Sequence, residues 1–178
     1  MIEIIPNLHP LAVHFPIALT AASLLFHLGA LLFAPRRWAL QWAVAGHWTL
    51  WLAAVAALVT AALGWQAFNS VAHDEAGHVA MLAHRAWALP TVGALALLAA
   101  WDAWRHPAER VNPWWFVVLL AGLAAAVGVT AWHGGELVYR HGLGVISLPQ
   151  VAALPAPAPS ERDARTVHRH SDGHLHSH

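Results

Sequence analysis

Four apolar segments, each long enough to cross a bilayer, constrain this chain more than any other feature. Crossing the hydrocarbon takes about 20 consecutive, mostly apolar residues. The segments 10–34, 38–66, 79–104 and 113–134 all meet that length. The first ends at Pro35-Arg36-Arg37, the second carries no formal charge, and the third has Arg85 near one end and Asp102 near the other. Asn112-Pro113 opens the fourth, with Asn as cap and Pro at the first helical position, and Gly134-Gly135 stops it. With no water in the hydrocarbon, backbone polar groups must be satisfied internally, so the spans are helices or a closed barrel. Long apolar runs without strict alternation select helices. The expected fold is all-α: a four-helix transmembrane bundle running up-down-up-down, with neighbouring helices antiparallel across short loops.

Composition agrees. Hydrophobic residues make up 58% and charged residues 10%, against about 25% charged in soluble domains. A zero formal net charge, no lysine and nine scattered arginines exclude a nucleic-acid binder. The absence of cysteine removes disulfides, thiolate metal sites, iron–sulfur ligation and a cysteine nucleophile. The start, MIEIIPNLH, lacks the basic region of a cleavable leader, so the first span is expected to stay as an anchor.

Arginine sets the expected orientation. Arg36, Arg37, Arg105 and Arg110 lie in the first and third loops, while the N-terminus and the second loop have none. The positive-inside rule then places both termini on the periplasmic side of a bacterial cytoplasmic membrane. Trp38, Trp42, Trp101, Trp104, Trp114 and Trp115 would line the inner interface, and Trp65, Trp87 and Trp132 the outer one. Residues 1–150 form the membrane domain, closing with an amphipathic stretch, 134–150, at the outer surface. Residues 151–178 are Pro/Ala-rich, then charged, then His-rich, and are expected to be a disordered tail. Small residues Gly46, Ala53, Ala57, Thr60 and Gly64 form one packing stripe, and Gly122, Ala126 and Val129 another leading to His133. Pro16 is expected to loosen the turn carrying Ala12 to His14.

The histidines carry the functional signal. His14, His84 and His133 fall at one level near the outer end, with His9, His73, His78 and His141 around them in loops. His27 and His47 share a deeper level, and Thr20, Ser23 and His27 form one polar stripe. Each alone has an ordinary explanation as a hydrogen-bonding or interfacial residue. Five at matched depths on four helices are what axial haem ligation requires, because two imidazoles must reach one iron from opposite sides. Two of His14, His84 and His133 would hold an outer haem b, with Arg85 and Arg140 as partners for its propionates, and His27 and His47 an inner one. Glu136, beside His133, could orient that ring. Asp102 and Glu109 are expected to pair with Arg105 and Arg110 or face water. The alternative occupant is Cu or Zn, held by the outer cluster including His9, His73, His78 and His141. Histidines 168, 170, 174, 176 and 178 of the tail (His168, His170, His174, His176, His178) would then collect ions.

The stretches HPLAVHFPIAL (9–19) and GGELVYRHGLGV (134–145) resemble the opening and closing motifs of a widespread bacterial family of small four-helix membrane proteins, catalogued chiefly as a domain of unknown function. The resemblance covers roughly 8–146 and carries over His9, His14, Pro16, Gly134, Gly135 and His141 as motif positions. It implies four helices with outward-facing ends. Members joined to Rieske or c-type haem domains imply electron transfer outside the cytoplasmic membrane. Three functions follow: a b-type cytochrome-like subunit with one or two haems serving a periplasmic or membrane redox partner or quinone; a Cu or Zn binder or transporter; and a structural or assembly subunit of a larger complex. An electron-transfer or binding subunit is expected rather than a stand-alone enzyme.

Overall fold

The computed structural model describes residues 7–34, 37–105 and 110–145, together with the backbone of 167–169 and 175–177. The helical unit contains α1 (His9–Ala12), α2 (His14–Leu32), α3 (Trp38–Ser70), α4 (Glu75–Arg105) and α5 (Trp114–Tyr139). The first two are one span, His9–Leu32, and with the other three helices they give four segments long and apolar enough to cross a membrane. Helix α2 packs on α3, α3 on α4 and α4 on α5, and α5 closes the ring against α2. That is the up-down-up-down bundle read from the sequence. Leu25, Leu52, Leu58, Leu97 and Val118 point outward, as lipid-facing positions should. In the tail, Val167–Arg169 pairs antiparallel with Leu175–Ser177, His168 opposite His176; the other tail residues lie outside the described set.

Local chemistry explains the helix limits. Asn7 Oδ1 accepts the His9 N–H at 3.0 Å and so opens α1. Asp74 Oδ1 accepts the Gly77 N–H at 2.7 Å and caps α4. Proline lacks an N–H, so Pro16 leaves the Ala12 carbonyl without its helical donor; the Thr60 hydroxyl from α3 donates to it instead, at 3.2 Å. The turn before Pro16 is therefore clasped by a neighbouring helix.

Three expectations are corrected. Gly134-Gly135 does not end the last helix, which runs on to Tyr139. Glycine costs a helix about 1 kcal/mol without breaking it, and the stop comes later. Gly142 adopts φ 61°, its N–H bonds the Val138 carbonyl and that of Leu143 bonds the Leu137 carbonyl, a Schellman closure. Much of the expected amphipathic stretch is thus helix and its C-cap. Asn112 does not cap α5: the N-cap is Pro113, and the Asn112 side chain turns inward to Asp102. On α5, Gly122 has open space where a Cβ would stand and Val129 is exposed, so that stripe is not a packing face.

The α3 stripe is one. Gly46, Ala53, Ala57 and Thr60 are buried, and a Cβ on Gly29 would lie 2.3 Å from the Trp42 ring. Small residues let α2 and α3 approach, as membrane helices require. Leu50, Leu95, Phe116 and Leu120 fill the core.

Candidate functional site

The bundle opens at the end that carries His9. A cavity of about 430 Å³ lies there among all four spans, walled mainly by apolar side chains and edged by His9, Thr60, His84, Thr91 and Thr130. A smaller one of about 120 Å³ shares His9 and His84 and adds Gly64, Phe68 and Arg85.

His9 and His84 are held alike. Nδ1 of His9 lies 3.0 Å from the Thr60 carbonyl and Nδ1 of His84 lies 3.1 Å from the Thr130 carbonyl. A carbonyl only accepts, so each Nδ1 carries the proton and each Nε2 keeps its lone pair. Among the described residues neither Nε2 has a hydrogen-bond partner. The ring centres are 6.2 Å apart with planes crossing at 78°. Glycines make room: a Cβ on Gly64 would come within 2.9 Å of the His9 ring, and one on Gly134 within 3.4 Å of His84. The α3 stripe thus brings the His9 ring close to the backbone. Arg85 lies over the Trp65 and Phe68 rings at 5.7 and 5.1 Å and makes no ion pair among the described residues.

The other expected outer residues fall elsewhere. His14 is exposed at the cavity's rim, its Nδ1 3.3 Å from the Leu11 carbonyl, because the clasped turn directs His9 rather than His14 toward His84. His133 lies outside the cavity beside Trp87 and Trp132, with Nδ1 3.4 Å from Glu136, the partner expected from sequence. Arg140 is already paired with Glu136 at 3.1 Å, so its charge is not left for a ligand. His73 and His78 stack on one another at 5.2 Å with an Nε2–Nδ1 separation of 3.0 Å, and His141 is exposed. The outer histidines therefore form separate pairs, and among the described residues no three metal-binding side chains gather.

The opposite end holds a buried polar network. His47 places Nδ1 2.6 Å from Asp102 Oδ2 and Nε2 2.9 Å from the Arg110 carbonyl. Both partners are acceptors, so both nitrogens donate and His47 is an imidazolium. Asp102 also accepts from Trp51 Nε1 at 3.0 Å and Asn112 Nδ2 at 2.8 Å, while Arg110 donates to Asn112 Oδ1. Asp102 thus neither faces water nor pairs with Arg105 or the Arg110 guanidinium; it is 1% exposed and its partner is His47. His27 packs edge-on at 5.0 Å from His47. With both nitrogens of His47 committed, His27 and His47 do not offer a pair of free nitrogens to one metal. Nothing in the sequence pattern marks Trp51 and Thr130, while Thr60 reads only as a packing residue and Asn112 only as a cap.

A family model described as predicted membrane protein (DUF2231) matches residues 5–147. The chain belongs to this family. Within the matched region, His9 and Gly134 line the cavity. Comparisons with curated proteins and with solved structures return no match.

Proposed function

We propose that this membrane protein is an electron-transfer subunit that holds one b-type haem at the His9 end, with His9 and His84 as axial ligands. The observation that carries the reading is the imidazole pair, each tied through Nδ1 to a main-chain carbonyl with Nε2 left free beside an apolar cavity. Ligating histidines characteristically donate their second ring N–H in this way. The two ring centres stand 6.2 Å apart, near enough that both imidazoles would reach one metal ion. A haem asks the protein for only two ligands, whereas structural zinc takes four. The cavity volume of about 430 Å³ falls within the ~300–1,000 Å³ of ligand sites. Arg85 beside His84 is the cation for a propionate.

A bound haem supplies one-electron transfer. The chain's own part is to fix two imidazole tautomers, exclude water with alanine, valine and leucine walls, and present Arg85. The positive-inside rule, read on the arginine-bearing loops, supports a periplasmic position for the His9 end, where a periplasmic or membrane redox partner, or quinone, would meet it. The test is an absorption spectrum of the membrane-extracted protein, oxidised and then dithionite-reduced. The expected result is a sharp Soret band with reduced α and β bands, lost in His9→Ala and His84→Ala and kept in His14→Ala and His133→Ala. A flat visible spectrum from protein made with ample haem overturns the reading, and elemental analysis then assigns the pair to copper or zinc or to neither.

A further inference from the structure

The polar groups at the two ends of the bundle differ in one respect. At the Arg110 end, both ring nitrogens of His47 and both oxygens of Asp102 are engaged. In the seam of α2 between that network and the cavity, they are not. Thr20 and His27 are each 1% exposed, yet among the described residues Thr20 Oγ1 and both nitrogens of His27 have no hydrogen-bond partner. A buried polar atom without a partner is rare in native proteins. Threonine in a helix usually back-bonds to the carbonyl four residues earlier, and Thr20 does not. Ser23, between them, donates to the Gly46 carbonyl at 2.9 Å. Gly46 makes space for an imidazole, since a Cβ there would stand 3.0 Å from three atoms of the His27 ring.

The surroundings of His27 decide where its free atoms can lead. From α3 it faces the His47 imidazolium, and behind that stands Asp102 of α4. From α5 it meets Phe116 at 5.1 Å, which carries no charge. Arg110 lies beyond Asp102, joined through Asn112. Every one of these polar neighbours is already committed. In the other direction the stripe climbs to Thr20, one helical turn from Pro16, which lines the cavity.

We infer that Thr20 and His27 form a proton-storing arm of the cavity. A proton from water at the cavity's open rim passes by way of the Thr20 hydroxyl and water in the seam to a ring nitrogen of His27. One N–H bond forms as one O–H bond of a hydronium breaks, and the return reverses both, with no electron moved. Ionisable residues within membrane spans, histidine among them, mark proton relays. The arm does not depend on what the cavity binds.

Nitrogen NMR on the full-length protein, labelled at its histidines and held in micelles, tests the inference. The His27 signals are identified through their contact with Phe116. His47 is expected to show two protected ring N–H groups. His27 is expected to show a neutral ring whose N–H exchanges with water. Thr20→Val, which keeps the shape and removes the hydroxyl, is expected to slow that exchange about tenfold, the equivalent of one hydrogen bond, and to leave His47 unchanged. A His27 N–H as protected as those of His47, or an exchange rate that Thr20→Val does not alter, overturns the proposal. Neither result bears on the haem, which the absorption spectrum decides separately.

Discussion

Replacing Asp102 by asparagine changes one oxygen to an amide nitrogen and leaves the shape intact, so its cost isolates the buried network. Asp102 takes N–H groups from His47, Trp51 and Asn112 on its two oxygens. An amide has one acceptor oxygen, and its NH₂ must then face a donor that it cannot satisfy. The His47 imidazolium also loses its counter-charge at 2.6 Å, in a place where both residues are at most 1% exposed. Removing one partner of a buried ion pair costs about 3–5 kcal/mol. For a chain of this size that lowers Tm by roughly 6–20 °C, at about 2–4 °C per kcal/mol. The assay is unfolding in mixed micelles followed by tryptophan fluorescence, with His47→Leu and the double variant closing a cycle. The double variant is expected to lose clearly less than the sum of the singles. A loss below about 1 kcal/mol, the range of solvent-exposed pairs, or singles that simply add, would refute the assignment of a buried imidazolium–carboxylate pair.

Gly29→Ala places a methyl group 2.3 Å from Trp42 and is expected to destabilise the same transition by about 1–3 kcal/mol through overpacking. Gly142→Ala forces an L side chain to φ 61° and should cost about 1–2 kcal/mol, read as a lower unfolding midpoint with an unchanged slope. Gly64→Ala crowds the His9 ring at 2.9 Å and is expected to weaken the Soret band of the loaded protein, whereas Gly128→Ala, which meets open space, should leave it unaltered; equal spectra from the two variants would count against His9 as a ligand.

The number and type of helices were legible because lipid imposes one rule on every span. Hydrophobic runs and the Pro35-Arg36-Arg37 break read directly, and the structure returns them at His9–Leu32, Trp38–Ser70, Glu75–Arg105 and Trp114–Tyr139. The site was legible by residue type and less so by pairing. The sequence puts His84 in a set with His14 and His133, and leaves His9, which precedes the apolar run, among the surrounding loop residues. What reverses His9 and His14 is the Ala12 carbonyl, freed by Pro16 and captured by Thr60. Main-chain acceptors such as those of Thr60 and Thr130 leave no mark in a side-chain pattern. For Asp102 the sequence offers only the neighbouring arginines or water. Its partner, His47, lies 55 residues away, and only the packing of α3 against α4 brings them together.

The division between the two ends has an energetic logic. Helices in lipid gain little from burying apolar surface against one another, so close packing and interhelical hydrogen bonds must hold them. At one end Gly29 against Trp42 and the His47–Asp102–Asn112 network do this. At the other the helices stand around about 430 Å³. An unfilled space of that size forfeits dispersion contacts along its walls. Water is a poor filler, because the walls are mainly apolar and a buried water needs two to four polar partners. The proposed haem, an apolar body whose small polar demand two imidazoles and one guanidinium would meet, fits those terms.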